Sequence, residues 1–366
     1  MIYLDNASTT MVDPKVLEAM LPFFTRDYAN PASIHSMGEE AGNAVEKSRD
    51  IIARSISADP SEIYFTSGGT ESNNLALHSF DKIVTTEIEH PSVLNLAKLK
   101  NAKLVNVDNE GYVDIADLEN KIKGHQILSV IHANNEIGTI QNIAEIGKLC
   151  RDNCVFLHVD ACQSYTKLKI DVNDVDLLTL NSHKIHGPKG VGALYVKQGL
   201  AIKPLFYGGN QQKFRSGTLN VHGIVGFGKA VELANESHVD SMRKLIAQLT
   251  KGVLEIPEVQ LNGPHDLKQR LCNNANFSFN AIEGEAIGGR LSLQGIMTST
   301  GSACSSRKLE TSHVLRAIGL SHELCNGSLR MSVSRFNTKD EIDKVNEVLP
   351  EVVSALREIS QFWKSC

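Results

Sequence analysis

The chain has 366 residues, 42% hydrophobic and 22% charged, with 37 basic against 42 acidic side chains and a formal net charge of −5. That length supports one large domain plus a smaller one, and the composition is ordinary for a globular enzyme. Bulk charge gives no reason to expect nucleic-acid or membrane binding, and no apolar run approaches the length of a bilayer span.

The opening MIYLDNASTT has neither a basic n-region nor an apolar h-region, so it does not read as a signal peptide. It reads as extended and polar. Asp13-Pro14 then starts a helix through Phe24, with Asp at the cap and Pro in the first turn. After a loop over 28–33, a long helix is expected over 36–57, carrying Ala41, Ala44, Val45, Ile51 and Ile52. From there short β-rich runs at 63–66, 82–85, 103–107, 127–131 and 155–159 alternate with helices over 71–80, 91–100, 115–123 and 143–151. Two further apolar runs, 176–180 and 191–196, enclose the stretch around Lys184. This alternation predicts an α/β fold with a largely parallel sheet covered on both faces, binding its ligands beyond the carboxyl ends of the strands. Helices follow from about Val221 to Val253. The pattern then changes, with strands over 259–261, 276–279 and 329–333 and helices over 283–293 and 340–362. The expected organisation is a large domain over 13–254 and a smaller α+β domain made of 1–12 and 255–366.

The seven cysteines (Cys150, Cys154, Cys162, Cys272, Cys304, Cys325 and Cys366) are odd in number and scattered. This fits reduced thiols in a cytoplasmic protein. No second ligand pair with metal spacing follows Cys150 and Cys154, so no zinc site is expected.

The polar residues with chemical potential fall just after the strands. Lys184 follows a core strand, and two readings are open. It is a loop lysine satisfied by a carboxylate, or a desolvated amine able to form a Schiff base with a carbonyl, as in pyridoxal phosphate enzymes. Asp160 lies 24 positions earlier (184 − 160), directly after the run 155–159. It is either a helix cap or the acid that keeps a pyridine nitrogen protonated. Gln163 either reaches the ring's phenolic oxygen or is an ordinary polar residue of a first helical turn. Ser67-Gly-Gly-Thr70-Glu71, with Gly69 at its centre, is an anion cradle at a helix N-terminus or a plain cap. His90 stacks on a planar ligand and exchanges protons, or is structural. Of Asn134 and Asn135, one amide is expected on a cofactor and the other on the turn. Cys304, in TSTGSACSS, has only small polar neighbours, the profile of a reactive nucleophile rather than a packed thiol. Arg330 either grips a substrate carboxylate or makes a salt bridge on a sheet.

As a set, the motifs LDNASTT, NPASIHSMG, FTSGGTESNN, EIEHPSV, HANNEIGTIQ, HVDACQS, SHKIHGPKGVGALYV, RSGTLNVHGIVG, STGSACSS and LRMSVSRFNT resemble the cysteine desulfurase family. This is the NifS/IscS-like branch of the class V aminotransferases, the fold-type I pyridoxal phosphate (PLP) enzymes. The resemblance runs over essentially the whole chain in order. It implies a large domain with a mostly parallel seven-stranded sheet, a homodimer and L-cysteine as substrate. Sulfur would pass from an enzyme persulfide to an acceptor protein, for iron–sulfur cluster assembly or another thiolation pathway. Lys184 would hold PLP as the internal aldimine and shuttle the Cα proton. Asp160 would pair with the pyridinium, His90 stack on the ring, and Asn135 and Gln163 contact its polar edge. Thr70, Gly69, His183 and the partner subunit's Thr218 would bind the phosphate. Arg330, with Asn135, would bind the substrate, and Cys304 would take the sulfur. A selenocysteine lyase or another PLP enzyme of this fold is the alternative. Two departures stand out. Asn181 precedes Ser182 where relatives commonly place a phosphate-binding serine, so either side chain is a candidate. The chain also ends at FWKSC, short of the tail that IscS-like members use to dock an iron–sulfur scaffold.

Overall fold

A computed structural model of the chain describes residues 1–300 and 311–363. The first part holds β1 (Ile2–Tyr3), α1 (Pro14–Met20), α2 (Pro22–Thr25), α3 (Ser36–Ser55), β2 (Ile63–Thr66), α4 (Gly69–His78), β3 (Ile83–Thr86), α5 (Pro91–Leu99) and β4 (Lys103–Val105). Then come α6 (Ile115–Lys121), β5 (Ile127–Ile131), α7 (Ile143–Asp152), β6 (Phe156–Asp160), β7 (Leu177–Asn181), β8 (Gly192–Val196), α8 (Val221–Glu232) and α9 (Glu236–Val253). The last part holds β9 (Val259–Leu261), β10 (Asn274–Phe279), α10 (Gly284–Leu293), β11 (Ile296–Met297), α11 (His313–Ala317), α12 (His322–Asn326), β12 (Ser328–Ser332) and α13 (Lys339–Ile359).

Among the described residues the main sheet has seven strands in the order β2-β8-β7-β6-β5-β3-β4. Only β8 runs against its neighbours. Apart from the edge strand β4 and the first residue of β6, the strands are buried on both faces, and successive side chains alternate between them as the two-residue period requires. Ile127 faces a core with Leu75, Leu77 and Val93 from α4 and α5, while Leu128 and Val130 face the core of α3, α7 and α8. Helix α3 buries Ala41, Val45, Ser48 and Ile52, one stripe at helical spacing, and crosses α8 so closely that a Cβ on Gly228 would meet Ser48 at 2.9 Å.

A second core surrounds the antiparallel sheet β12-β10-β9 and holds Phe277, Phe279, Leu329 and Met331 with the apolar faces of α10 and α13. Leu4 joins this core, because β1 pairs with β11. Helix α9, which the sequence groups with the large sheet, buries Met242, Leu245, Ile246, Leu249 and Val253 in this second core.

Two local expectations shift for identifiable reasons. The first helix breaks at Leu21 because Pro22 has no N–H to continue the ladder, so α2 restarts there. Asp160 is the last residue of β6, paired with Ile131 and Thr179, rather than one past the strand. The carboxyl ends of β2, β3, β5, β6 and β7 lie side by side, and the β7–β8 connection that carries Lys184 folds over them.

Candidate active site

Beyond those strand ends lies a cavity of about 150 Å³ whose wall includes Gly69, Thr70, His90, Asn135, Asp160, Gln163, His183 and Lys184. Residues from five separate strand–loop junctions thus meet at one place.

Asp160 is at its floor and is 3% exposed. Its Oδ1 accepts the Cys162 N–H at 2.9 Å, and its Oδ2 accepts the Asn73 amide at 2.7 Å. Burial pushes the Asp160 carboxyl up, but the Cys162 N–H, the nearby His90 ring and Asn73 together hold it below the ordinary value. It is therefore an ionised, fully buried carboxylate, the group needed to keep a ring nitrogen protonated.

His90 caps α5 and is tied to the same network. Asn73 Nδ2 also donates to Ser92 Oγ at 2.9 Å, and Ser92 Oγ lies 2.7 Å from His90 Nδ1, which also accepts the Ser92 N–H at 3.1 Å. Nδ1 is the acceptor, which assigns the ring proton to Nε2. Burial, reinforced by the charge of Lys184, lowers the His90 pKa to about 4, so the ring is neutral. His183 is likewise held neutral, lowered to about 4 by burial and by Lys184, Lys189 and Lys167, and its Nδ1 lies 3.1 Å from Thr9 Oγ1. The N-terminal segment supports this edge further, since Thr10 Oγ1 donates to the His183 carbonyl at 2.8 Å and Gln163 Nε2 donates to the Ala7 carbonyl at 2.9 Å.

At the other end, Gly68 adopts φ of +148°, a conformation that favours glycine, and opens α4 with its first N–H groups directed out of the helix. A Cβ on Gly69 would come 2.5 Å from Cys162 Sγ, so any side chain here would have to displace that thiol. Burial raises the Cys162 thiol well above its usual value, with Asp160 adding to it, so this cysteine is a neutral wall. Of the two phosphate candidates, Asn181 lines the cavity, whereas Ser182 Oγ is buried toward Gly187, where an added Cβ would lie 1.9 Å away; Asn181 Oδ1 and Ser182 Oγ are both without a partner.

The two neighbouring amides also separate. Asn134 ties the turn, donating to the Ile88 carbonyl at 2.9 Å and accepting the Glu136 and Ile137 N–H groups at 2.8 and 3.0 Å. Asn135 faces the cavity, and its carbonyl accepts Arg330 Nη1 at 2.8 Å. Arg330 is 2% exposed on β12. Its Nη2 binds Asp5 Oδ1 at 2.8 Å and Ser8 Oγ at 2.7 Å, while its Nε has no partner. Arg330 thus makes the salt bridge and touches Ser8 and the Asn135 carbonyl, two residues of the cavity wall, without lining the cavity itself.

Thr218, like Arg330, is not among the residues of this cavity's wall. It is exposed on a loop held by the Arg215–Glu71 salt bridge of 3.0 Å. Cys304 lies outside the described residues. Sequence reasoning missed Asn73, Ser92 and the Asp5–Ser8 segment. The only sequence signal for Asn73 is its place three residues after Thr70, one helical turn into α4.

The residues fit PLP. A buried carboxylate stands where a pyridine nitrogen needs one, and the glycine-opened helix end suits a phosphate. Comparison with known proteins agrees. The family described as Aminotransferase class-V matches residues 2–345. A cysteine desulfurase IscS of Clostridium botulinum is 45% identical over 99% of this chain and 97% of its own length. A cysteine desulfurase IscS 1 of Archaeoglobus fulgidus is 44% identical over all of both chains. The solved structure of a NifS-like protein superposes with a TM-score of 0.91 at 36% identity, covering 97% of this chain and all of that one.

Proposed function

The chain belongs to the class V aminotransferase family and is a PLP-dependent cysteine desulfurase, and we propose that Lys184, Asp160, His90 and Cys304 are the groups that carry its reaction. The single observation that supports this best is the ionised, buried Asp160 sharing one cavity with Lys184 and a neutral His90.

Lys184 holds the cofactor's aldehyde carbon and moves the proton at the substrate Cα. Asp160 holds a proton at the pyridine nitrogen, and the Asn73 amide keeps its carboxylate oriented. His90 covers the ring, and its Nε2–H is available to a developing negative atom. Gln163 and Asn135 contact the polar edge of the ring. Gly69, Thr70, His183 and Asn181 take the phosphate. Bound there, PLP supplies the electron sink that makes negative charge at Cα tolerable. Arg330 takes the α-carboxylate of L-cysteine with its planar fork. The Cys304 thiolate attacks the substrate sulfur. An S–S bond forms on Cys304 while the substrate C–S bond breaks, and the carbon skeleton leaves as L-alanine after taking up a proton.

A homodimer belongs to the same proposal. Leu17, Leu21, Phe24, Tyr28 and Ile34 expose large apolar side chains along one stretch, which supports a covering partner. A second copy would also bring its Thr218 to the phosphate. We place the boundary between the large and small domains in the turn before α9, since α9 packs into the second core. Among the described residues no helix is long and apolar enough to cross a membrane. The unpaired cysteines Cys150, Cys154, Cys162, Cys272 and Cys325 support a cytoplasmic location. The sulfur acceptor is proposed to be a protein, with an iron–sulfur scaffold as the first candidate.

The test is a single turnover with L-cysteine followed by mass spectrometry. One added sulfur is expected on Cys304, and Cys304→Ser is expected to bind cofactor and cysteine yet release almost no alanine. Sulfur on another cysteine, or normal turnover by Cys304→Ser, refutes the assignment.

A further inference from the structure

Lys167 is buried to 9% exposure, seven positions past Asp160 (167 − 160). A lysine that deep normally has a carboxylate partner. Here its Nζ donates to the Gln163 carbonyl at 3.0 Å and to the Lys184 carbonyl at 3.3 Å. The side chains acting on its charge are Cys272, Lys184 and Cys162, none of them a carboxylate. Lys167 and Lys184 also line one small cavity of about 30 Å³, room for a single water. That wall includes Arg335, His186 and His238, and no Asp or Glu. Arg335 is paired with Asp13, and Lys184 also lines the cavity that holds the ionised Asp160. On its other side Lys167 borders an open groove of about 530 Å³, whose wall includes Lys169, Glu236, Asp240 and Arg243. Lys167 is therefore the partition between solvent and the back of Lys184.

We propose that Lys167 is a positioning residue for Lys184. Its buried ammonium fastens the Asp160–Gln163 segment to the Lys184 segment and, by like-charge repulsion, lowers the proton affinity of the Lys184 nitrogen, favouring the form that binds carbon. Burial lowers the pKa of Lys167 itself to about 8, so it remains mostly charged at neutral pH. This role rests on Lys184 being the lysine that holds the cofactor.

The experiment uses the holoenzyme and three variants, Lys167→Met, Lys167→Gln and Lys167→Arg. Borohydride trapping with peptide mass spectrometry first locates the cofactor, and label on Lys184 is expected throughout. Label elsewhere overturns the reading of Lys184 itself. The visible absorption of the bound cofactor is then titrated with pH. Without the cation, the midpoint is expected to rise by about one pH unit in Lys167→Met and Lys167→Gln, and to stay near wild type in Lys167→Arg. Glutamine keeps a donor for the two carbonyls, so it guards against a methionine variant that does not fold. A purely structural lysine would change cofactor affinity and leave the midpoint alone. Label on Lys184 with unshifted midpoints in the Met and Gln variants, or an equal shift in the Arg variant, overturns the proposal.

Discussion

Asn73 joins the two groups that address the cofactor ring, and replacing it with leucine isolates that link at nearly constant volume. The substitution removes the 2.7 Å bond to Asp160 and the 2.9 Å bond to Ser92. A bond to a buried charge contributes about 1.5–3 kcal/mol and a neutral one about 0.5–1.5 kcal/mol, so Asn73→Leu is expected to cost about 2–4 kcal/mol at pH 7. The pH dependence has a definite sign. Burial raises the Asp160 carboxyl, and the Cys162 N–H, His90 and Asn73 outweigh it, leaving the folded value below the unfolded one. A carboxylate of that kind stabilises the fold above its unfolded pKa, and the contribution is lost as pH falls through the folded value. Losing the Asn73 donor raises the folded pKa, because one of the groups that hold the charged form is gone. The gap between variant and wild type is therefore full near neutrality. It narrows as pH falls through the variant's raised value toward that of the wild type. Urea unfolding of the apoprotein at a series of pH values measures both the size and the trend. A loss under about 1 kcal/mol at pH 7, or one that stays constant into acid, refutes the network as described.

At Gly69 the added Cβ of Gly69→Ala would stand 2.5 Å from Cys162 Sγ. Helix propensity alone favours alanine by about 0.5–1 kcal/mol, yet PLP affinity is expected to fall about tenfold, and Cys162→Ala in the same chain is expected to restore it. Equilibrium dialysis decides this, and undiminished binding by the single variant refutes the steric cradle. Arg330→Lys keeps the charge but loses the fork that now binds Asp5, Ser8 and the Asn135 carbonyl. The KM for L-cysteine is expected to rise about ten- to a hundredfold with the cofactor spectrum unchanged. Loss of PLP instead would make Arg330 a residue of the fold rather than of substrate binding.

Much of the plan is legible in the sequence. Asp160, His90, Asn135, Lys184 and Gly69 each stand at or just past a strand end, and parallel strands in an α/β sheet put those ends on one side. The β-rich runs are short and mostly apolar because the inner strands are buried on both faces, so the alternation with helices is sharp. The allegiance of α9 was not legible, since an amphipathic stripe records that a helix packs and not against which sheet. Nor could adjacent amides be told apart. Asn134 and Asn135 differ only in which side of one turn each occupies.

The sequence by itself determined the fold class, the strand ends that meet, and the residue types able to do carbonyl and sulfur chemistry, because local patterns and short spacings encode these. Tertiary structure decided everything that depends on long-range approach. Asn73 serves Asp160 from 87 positions away, Asp5 reaches Arg330 across 325, and Lys167 reaches the Lys184 carbonyl across 17. Hydrogen bonds and burial act over a few ångströms, and which distant residues come within that range is set by how the sheets and helices close on one another.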